Sequence, residues 1–119
     1  MNKQKELELV NKYPNLYKDY GGDMRRTAMA WGIAVDDGWY DIINELSEKL
    51  ETLGCVAVQV KEKFGGLRFY LDNYPEGAHE LITEAEEKSY KTCERCGKPG
   101  SPKGGGWVKT LCNDCRNSE

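Results

Sequence analysis

The stretch TCERCGKPGSPKGGGWVKTLCNDCRNSE, residues 92–119, sets the architecture of this chain. It contains two Cys-x-x-Cys pairs that are fifteen residues apart: Cys93 with Cys96, and Cys112 with Cys115. This spacing is typical of four thiolates around one zinc ion, because a two-residue gap lets both sulfurs of a pair point inward from one tight turn. Gly97 follows the first pair, where a zinc knuckle needs a residue with positive φ. The sequence therefore predicts one zinc site.

The predicted site is structural, because four thiolates fill the coordination sphere of zinc and leave no position for water or substrate. Two alternatives are a pair of disulfides and a redox Cys-x-x-Cys motif. Disulfide pairing leaves Cys55 over, and a redox motif is expected once, at the start of a helix that follows a strand. Both alternatives fit the sequence less well than zinc.

The composition indicates a single compact domain. The chain has 119 residues, 39% hydrophobic and 31% charged, a size at which a structural metal adds to a modest core. No apolar run reaches the roughly 18 residues that span a bilayer, and the first residues, MNKQKELELV, are charged, so we expect no membrane segment and no signal peptide. Cysteines spaced as metal ligands indicate a reducing compartment, and we expect a cytoplasmic protein.

The net charge of −3 conceals an asymmetry. Residues 1–89 carry eleven Lys and Arg against seventeen Asp and Glu, whereas residues 90–116 carry six against two. One Zn²⁺ with four thiolates adds a net −2 to the second segment, which leaves an excess of about two positive charges. We interpret this basic segment mainly as neutralisation of the metal site, with an interaction surface as the alternative.

Residues 1–91 are predicted to form a core of helices around a two- or three-stranded antiparallel sheet. Apolar residues at three- and four-residue steps predict helices over 3–12, 37–53 and 77–90, with a helical turn over 25–31. Asp36 or Asp37 is the expected N-cap of the second helix. The adjacent pair Arg25 and Arg26 is interpreted as solvated, with a contact to phosphate or to an acidic partner as the alternative.

A hairpin is predicted in CVAVQVKEKFGGLRFYLDN, residues 55–73. If Gly65-Gly66 is the two-residue turn, Phe64 pairs with Leu67 and lies on the apolar face toward the helices. The opposite face then carries Lys61, Lys63, Arg68 and Tyr70, with Lys63 directly across from Arg68. A basic, aromatic face of this kind suits single-stranded nucleic acid, and it equally suits an ordinary solvated hairpin.

The zinc segment resembles treble-clef zinc fingers, of which the GATA type is nearest, on CERCG, the glycine-rich loop, Trp107 and LCNDC. In those fingers the second pair opens a helix that often lies in a DNA groove. Here four residues follow Cys115, so the resemblance implies a zinc-binding fold rather than DNA reading.

A second resemblance spans more of the chain. DDGWYDII, VAVQVKEKFGGLRFY, AEEKSYKTCERCGKPG and GGGWVKTLC are similar to a largely uncharacterised family of small phage and prophage proteins. The resemblance implies a phage or prophage origin and a partner in the bacterial host, such as a defence complex.

Candidate catalytic residues are few. His79 is expected at the surface near the start of a helix, Cys55 is expected to be a buried small hydrophobe, and no phosphate-binding or hydrolase motif is present. An enzyme with an unrecognised site, using carboxylates such as Asp36, Asp37 and Glu62, is the least favoured hypothesis.

We therefore expect an α+β domain over 1–119, with a core over 1–91 and, docked on it over 92–119, a treble-clef-like zinc subdomain with four cysteine ligands. The favoured function is a non-enzymatic, zinc-stabilised binding protein that modulates or inhibits a host protein complex. The alternative is nucleic-acid binding through the hairpin face and the zinc loop. The candidate binding residues are Lys61, Lys63, Arg68, Tyr70, Lys103, Trp107 and Lys109.

Overall fold

The computed structural model of the chain describes residues 1–23 and 27–118. The helices are α1 (Lys3–Lys12), α2 (Tyr40–Thr52), α3 (Ala78–Ser89) and α4 (Asn113–Asn117). The strands are β1 (Ile33–Ala34), β2 (Ala57–Lys63), β3 (Gly66–Leu71), β4 (Ser101–Lys103) and β5 (Lys109–Leu111). The predicted α+β fold class is confirmed. The pair Arg25 and Arg26 lies outside the described residues.

Helix α1 has the predicted bounds, because the side chain of Asn2 caps its first turn and Pro14 follows its last residue closely. A buried carboxylate, that of Glu6, ties this helix to the sheet. Its Oε1 accepts a hydrogen bond from the backbone N–H of Ile33 at 2.6 Å, and its Oε2 accepts one from the hydroxyl of Tyr20 at 2.6 Å. Burial of this acid is compensated by both donors.

Helix α2 begins three residues later than predicted, after a 3₁₀ turn at Asp37–Trp39. Asp36 stands at the N-cap of that turn, but its side chain makes no capping hydrogen bond. Asp37 instead accepts a bond from the backbone N–H of Asn2 at 2.6 Å. Of the apolar stripe predicted at Trp39, Ile42, Ile43, Leu46, Leu50 and Leu53, the structure buries Trp39, Ile43, Leu46 and Leu50, whereas Leu53 is exposed.

The main sheet has the order β1-β2-β3, with β1 parallel to β2 and β2 antiparallel to β3. The predicted register of the hairpin is wrong by two residues. The turn is Phe64-Gly65, both with positive φ (54° and 83°), as in a type I′ turn. Gly66 lies in β3, where a Cβ would overlap the ring of Tyr90. Glu62 therefore pairs with Leu67, and Phe64 points away from the core, 65% exposed.

The core lies between α2, α3 and the inner face of the sheet, where Trp39, Val60, Leu67 and Phe69 are buried. Helix α3 runs as predicted, and its Ser89 hydroxyl accepts a hydrogen bond from the backbone N–H of Leu67 at 2.9 Å. Cys55 is buried in this core, as the sequence predicted. Within residues 1–23 and 27–118, no helix combines the length and the apolar character needed to cross a membrane.

Candidate metal centre and binding surface

The first cysteine pair lies on a tight knuckle that follows α3. The backbone N–H of Cys93 donates to the carbonyl of Lys98 at 2.7 Å, and the N–H of Gly97 donates to the carbonyl of Cys93 at 2.9 Å. Gly97 has φ 85°, the positive value predicted for this position. The turn places both sulfurs of the pair on its inner side.

The second pair begins helix α4. Cys112 is the N-cap residue, and its Sγ accepts a hydrogen bond from the backbone N–H of Cys115 at 3.4 Å. Strands β4 and β5 form an antiparallel hairpin between the two pairs. The order of knuckle, hairpin and helix is that of a treble clef. At five residues, α4 is shorter than a helix that reads a DNA groove.

The four sulfurs of Cys93, Cys96, Cys112 and Cys115 all lie within 4.8 Å of one another. The Sγ atoms of Cys96 and Cys112 are 3.6 Å apart. A tetrahedron with Zn–S bonds of about 2.3 Å has sulfur–sulfur edges of about 3.8 Å, whereas a disulfide bond is about 2.05 Å. Within the described residues all five cysteines are free thiols. The cluster therefore fits a single structural zinc site, and the predicted cofactor is confirmed at this level.

Neighbouring thiols of the cluster alter one another's pKa. Burial alone raises the pKa of Cys93, but backbone N–H groups of Cys112, Cys96 and Arg95 outweigh burial and lower that pKa to about 6. The pKa of Cys115 is raised, chiefly by its hydrogen bond with the thiol of Cys112. Four adjacent sulfurs cannot all ionise without a compensating cation, and a divalent metal supplies that charge.

The zinc lobe, residues 92–118, is docked on the core by backbone contacts. The N–H of Gly38 donates to the carbonyl of Glu94 at 2.6 Å, and Nε1 of Trp39 donates to the carbonyl of Thr92 at 2.8 Å. A Cβ at Gly38 would overlap the carbonyl oxygen of Cys93. The knuckle thus lies directly against the turn that precedes α2.

Glu94, between the two cysteines of the first pair, is a residue that sequence reasoning missed. Its side chain turns into the docking contact and is 3% exposed. Oε2 accepts a bond from the N–H of Asp36 at 3.1 Å, and Oε1 has no partner among the described residues. Burial raises the pKa of this carboxyl. A charged residue between the two cysteines of a CxxC turn is usually expected to face solvent. The sequence therefore gives no indication that the Glu94 side chain is buried.

Several basic residues of the lobe serve the lobe itself. Arg116 donates to the carbonyls of Ser101 at 2.8 Å and Leu111 at 3.2 Å, and Arg95 donates to the carbonyl of Cys115 at 3.3 Å. Lys103 and Lys109 are cross-strand partners on β4 and β5. Part of the apparent basic patch is therefore internal to the zinc lobe.

On the outer face of the sheet, Lys61 is the residue opposite Arg68, and the predicted opposition of Lys63 and Arg68 is wrong. The error follows from the shifted turn. Arg68 forms an ion pair with Glu86 of α3 at 2.8 Å, so an acid of the chain itself compensates the charge of Arg68. Tyr70 stands next to this pair, with Nζ of Lys61 5.9 Å from its ring centroid.

The tip of the hairpin and the zinc loop form a cleft of about 310 Å³. Phe64 and Trp107 line it from the two sides and are 65% and 77% exposed. Lys63 also lines this cleft, and its Nζ is 5.5 Å from the centroid of the Phe64 ring. The hydroxyl of Thr110 donates to the carbonyl of Gly65 at 2.6 Å, which fixes the tip on the zinc lobe.

A second cleft, of about 430 Å³, lies between β3 and α3. It is lined by Lys63, Phe64, Tyr70, Tyr74 and His79, with Arg68 and Glu86 on its wall. The rings of Tyr74 and His79 are stacked, with centroids 4.4 Å apart and planes at 5°. Sequence reasoning did not assign Phe64, Tyr74 or His79 to a binding surface: the predicted register placed Phe64 in the core, and the stacking of Tyr74 on His79 has no sequence pattern.

Two of the three carboxylates considered for catalysis, those of Asp37 and Glu62, have structural partners. Asp37 accepts from Asn2, and Oε2 of Glu62 accepts from the N–H of Gly65 at 2.8 Å, inside the turn. Asp36 contributes its backbone N–H to Glu94.

Comparison with protein-family models, with curated proteins and with solved structures finds no significant match.

Proposed function

We propose that the protein is a zinc-stabilised binding module that docks on another macromolecule and performs no chemistry on it. The single observation that carries the proposal is the pair of exposed aromatic side chains, Phe64 and Trp107, on the two sides of one cleft. They belong to the hairpin and to the zinc loop, which are 43 residues apart in the sequence. Large exposed aromatic residues that line one cleft are typical of an interaction site.

The cleft is supported by contacts that hold its shape before any partner arrives. Gly65 donates its N–H to Glu62 at 2.8 Å and accepts at its carbonyl from Thr110 at 2.6 Å. Val108 lines the cleft beside Trp107 on the way into β5. A preformed site loses less conformational freedom on binding than a flexible loop, and Trp is enriched among the residues that dominate binding energies.

The host-directed part of the proposal rests on the resemblance to phage and prophage proteins. That resemblance supports a protein made in the bacterial cytoplasm that modulates or inhibits a host complex, with a defence system as the candidate target. A small scaffold with a structural metal suits this role, because the metal replaces part of a large hydrophobic core.

The absence of catalysis is also part of the proposal. It is supported by the closed donor set of four thiolates and by the structural partners of Asp37 and Glu62. The one histidine, His79, stacks on Tyr74, and the thiol of Cys55 is buried with its pKa raised by burial. A buried thiol with a raised pKa is a poor nucleophile.

Site-specific photo-crosslinking in a bacterial host tests the proposal. A photo-reactive amino acid replaces Phe64, Trp107 or, as a matched control, Trp31, which is 71% exposed and lines neither cleft. We expect a defined crosslinked product from positions 64 and 107 and none from position 31. Equal products from all three positions, or none from the cleft positions, would contradict a docking site here.

A further inference from the structure

The two clefts beside the hairpin tip form one continuous surface. Lys63 and Phe64 line both clefts, so the tip is their shared wall. We call this surface the aromatic band and define it by five rings and three cations: Trp107, Phe64, Tyr70, Tyr74, His79, Lys61, Lys63 and Arg68.

We infer that the aromatic band binds single-stranded nucleic acid, with bases stacked on the exposed rings and phosphates beside the lysines. The inference rests on the proposed function, because it names the class of partner that occupies the same surface. Three observations carry it: the exposure of the rings, the position of the lysines beside them, and the imbalance of charge along the band.

Four of the rings are at least one-third exposed, although Tyr74 and His79 already cover one face of each other. Besides Phe64 and Trp107, the side chains of Tyr70 and Tyr74 are exposed at 38% and 37%. Proteins that bind single strands without a base-specific code stack successive bases on such rings, because every base offers a flat π-face. A base in a duplex is already stacked on its neighbours, so the rings favour single strands.

The cations lie where phosphates are expected. Nζ of Lys63 is 5.5 Å from the centroid of Phe64, and Nζ of Lys61 is 5.9 Å from that of Tyr70. Each ammonium group therefore stands beside a ring that can stack a base, within reach of that nucleotide's own phosphate. Their attraction to the ring faces keeps them there in the free protein.

The two acids that line the clefts of the band have partners within the chain, whereas Glu80, Glu84 and Glu87 of α3 line a neighbouring cleft beside His79. Glu86 pairs with Arg68 at 2.8 Å, and Glu62 accepts the N–H of Gly65 at 2.8 Å. Lys103 and Lys109 extend the positive charge onto β4 and β5, the strands on either side of the loop that carries Trp107. The band thus has an excess of positive charge on a chain whose net charge is −3, and such focused charge attracts a polyanion.

The choice of cation favours nucleic acid over protein. Lysine is depleted and arginine enriched at the centres of protein–protein interfaces. In the band the lysines adjoin the rings, whereas the guanidinium of Arg68 is held by Glu86 and the hydroxyl of Tyr90.

Fluorescence anisotropy of the zinc-loaded protein with labelled oligo(dT), oligo(U) and a mixed-sequence DNA duplex, over a salt series, tests the inference. We expect binding of the single strands, weaker binding of the duplex, and a log–log salt slope of about −2 for about three phosphate contacts. Lys61→Glu combined with Lys63→Glu makes that slope shallower.

The ring variants separate stacking from simple charge attraction. Phe64→Gly removes the ring without strain, because the positive φ of this position suits glycine. We expect Phe64→Gly and Trp107→Ala each to weaken single-strand binding about tenfold or more. Trp31→Ala, the matched loss of an exposed tryptophan outside the band, leaves binding unchanged, as does Lys18→Glu outside the band.

The outcomes distinguish this inference from the proposed function. Absence of binding at low salt, or equal binding of single strands and duplex that the ring variants leave intact, would overturn the inference. If crosslinking from positions 64 and 107 then yields a host protein, the docking module stands with a protein partner. Absence of both oligonucleotide binding and crosslinked product would overturn the two together.

Discussion

The core, residues 1–23 and 27–91, and the zinc lobe, residues 92–118, are held together by different forces. The core has a continuous cluster of buried hydrophobic residues that runs from Leu9 to Ala85. Within the described part of the lobe, the corresponding cluster is Cys93, Leu111 and Cys112, and two of these three are metal ligands. Burial of apolar area therefore stabilises the core, whereas the lobe depends on its metal.

This difference explains how a small chain presents a rigid surface at its edge. The lobe contributes Trp107 and fixes the hairpin tip through the hydrogen bond from Thr110 to Gly65. The core contributes Phe64, Tyr70 and Tyr74. The aromatic band spans both regions, so we expect zinc to affect the band although no ligand belongs to it.

The largest expected effect comes from removing a ligand. Cys112→Ser should lose zinc and unfold residues 92–118, because structural zinc contributes roughly 10–16 kcal/mol of apparent binding free energy in zinc-finger peptides. Metal content by mass spectrometry and amide NMR spectra measure this. The control is Cys55→Ser, a buried thiol outside the cluster, which should keep one zinc. A Cys112→Ser protein in which residues 92–118 remain folded would contradict the dependence of the zinc lobe on its metal.

A cavity in the core should destabilise the core and leave the zinc site intact. Leu50→Ala leaves a void at a fully buried position of α2, and the expected loss is about 2–5 kcal/mol of unfolding free energy. Chemical denaturation measures the loss, and metal analysis of the folded variant should still find one zinc. Loss of zinc from the folded Leu50→Ala protein would show that the lobe depends on core packing.

The contact between the zinc lobe and the core is tested by Gly38→Ala. The added Cβ overlaps the carbonyl of Cys93, so the knuckle must move away at an expected cost of about 1–3 kcal/mol. Zinc should remain bound, whereas hydrogen exchange at position 38 should rise. Gly105→Ala, where an added Cβ meets no atom within 4 Å, is the matched control and should change neither quantity. Equal behaviour of the two variants would contradict the docking contact.

The smallest effect is expected from Thr110→Val, which keeps the shape of the side chain and removes its hydrogen bond to Gly65. We expect a loss of about 0.5–1.5 kcal/mol, with chemical-shift changes confined to β5 and the hairpin tip. Changes spread evenly over the core would argue that this bond does not specifically fix the tip.

The sequence predicted the parts of the molecule that depend on local patterns. The spacing of the cysteines predicted the metal cluster, and the apolar periodicity predicted α1, α2 and α3 close to their observed bounds. These signals are local because a CxxC turn and a helical stripe are each defined within a few residues.

The hairpin register could not be predicted in the same way. The sequence FGG allows either Phe64-Gly65 or Gly65-Gly66 as the turn, and glycine makes positive φ easiest in the second. The ring of Tyr90, which covers Gly66, distinguishes them, and Tyr90 is 24 residues away. The same tertiary contact exposes Phe64, whose ring the predicted register placed in the core.

The inward position of Glu94 and the parallel strand β1 were missed for a related reason. Strand β1 has two residues, and Ile33 pairs with Val60 across 27 positions of sequence. No local sequence pattern distinguishes a two-residue strand such as β1 from a loop. Likewise, no local pattern distinguishes a buried Glu94 from an exposed residue of the knuckle. Both depend on contacts between segments that are far apart in the sequence.

Amide hydrogen exchange of the protein with and without a zinc chelator tests whether zinc holds the lobe and the hairpin tip in place. We expect one zinc per chain and, on its removal, a loss of protection in residues 92–118 and at the hairpin tip, residues 62–66. Protection in α2 and in the middle of β2 should persist. Uniform loss of protection throughout the chain, or no change in the zinc lobe, would contradict this role of zinc.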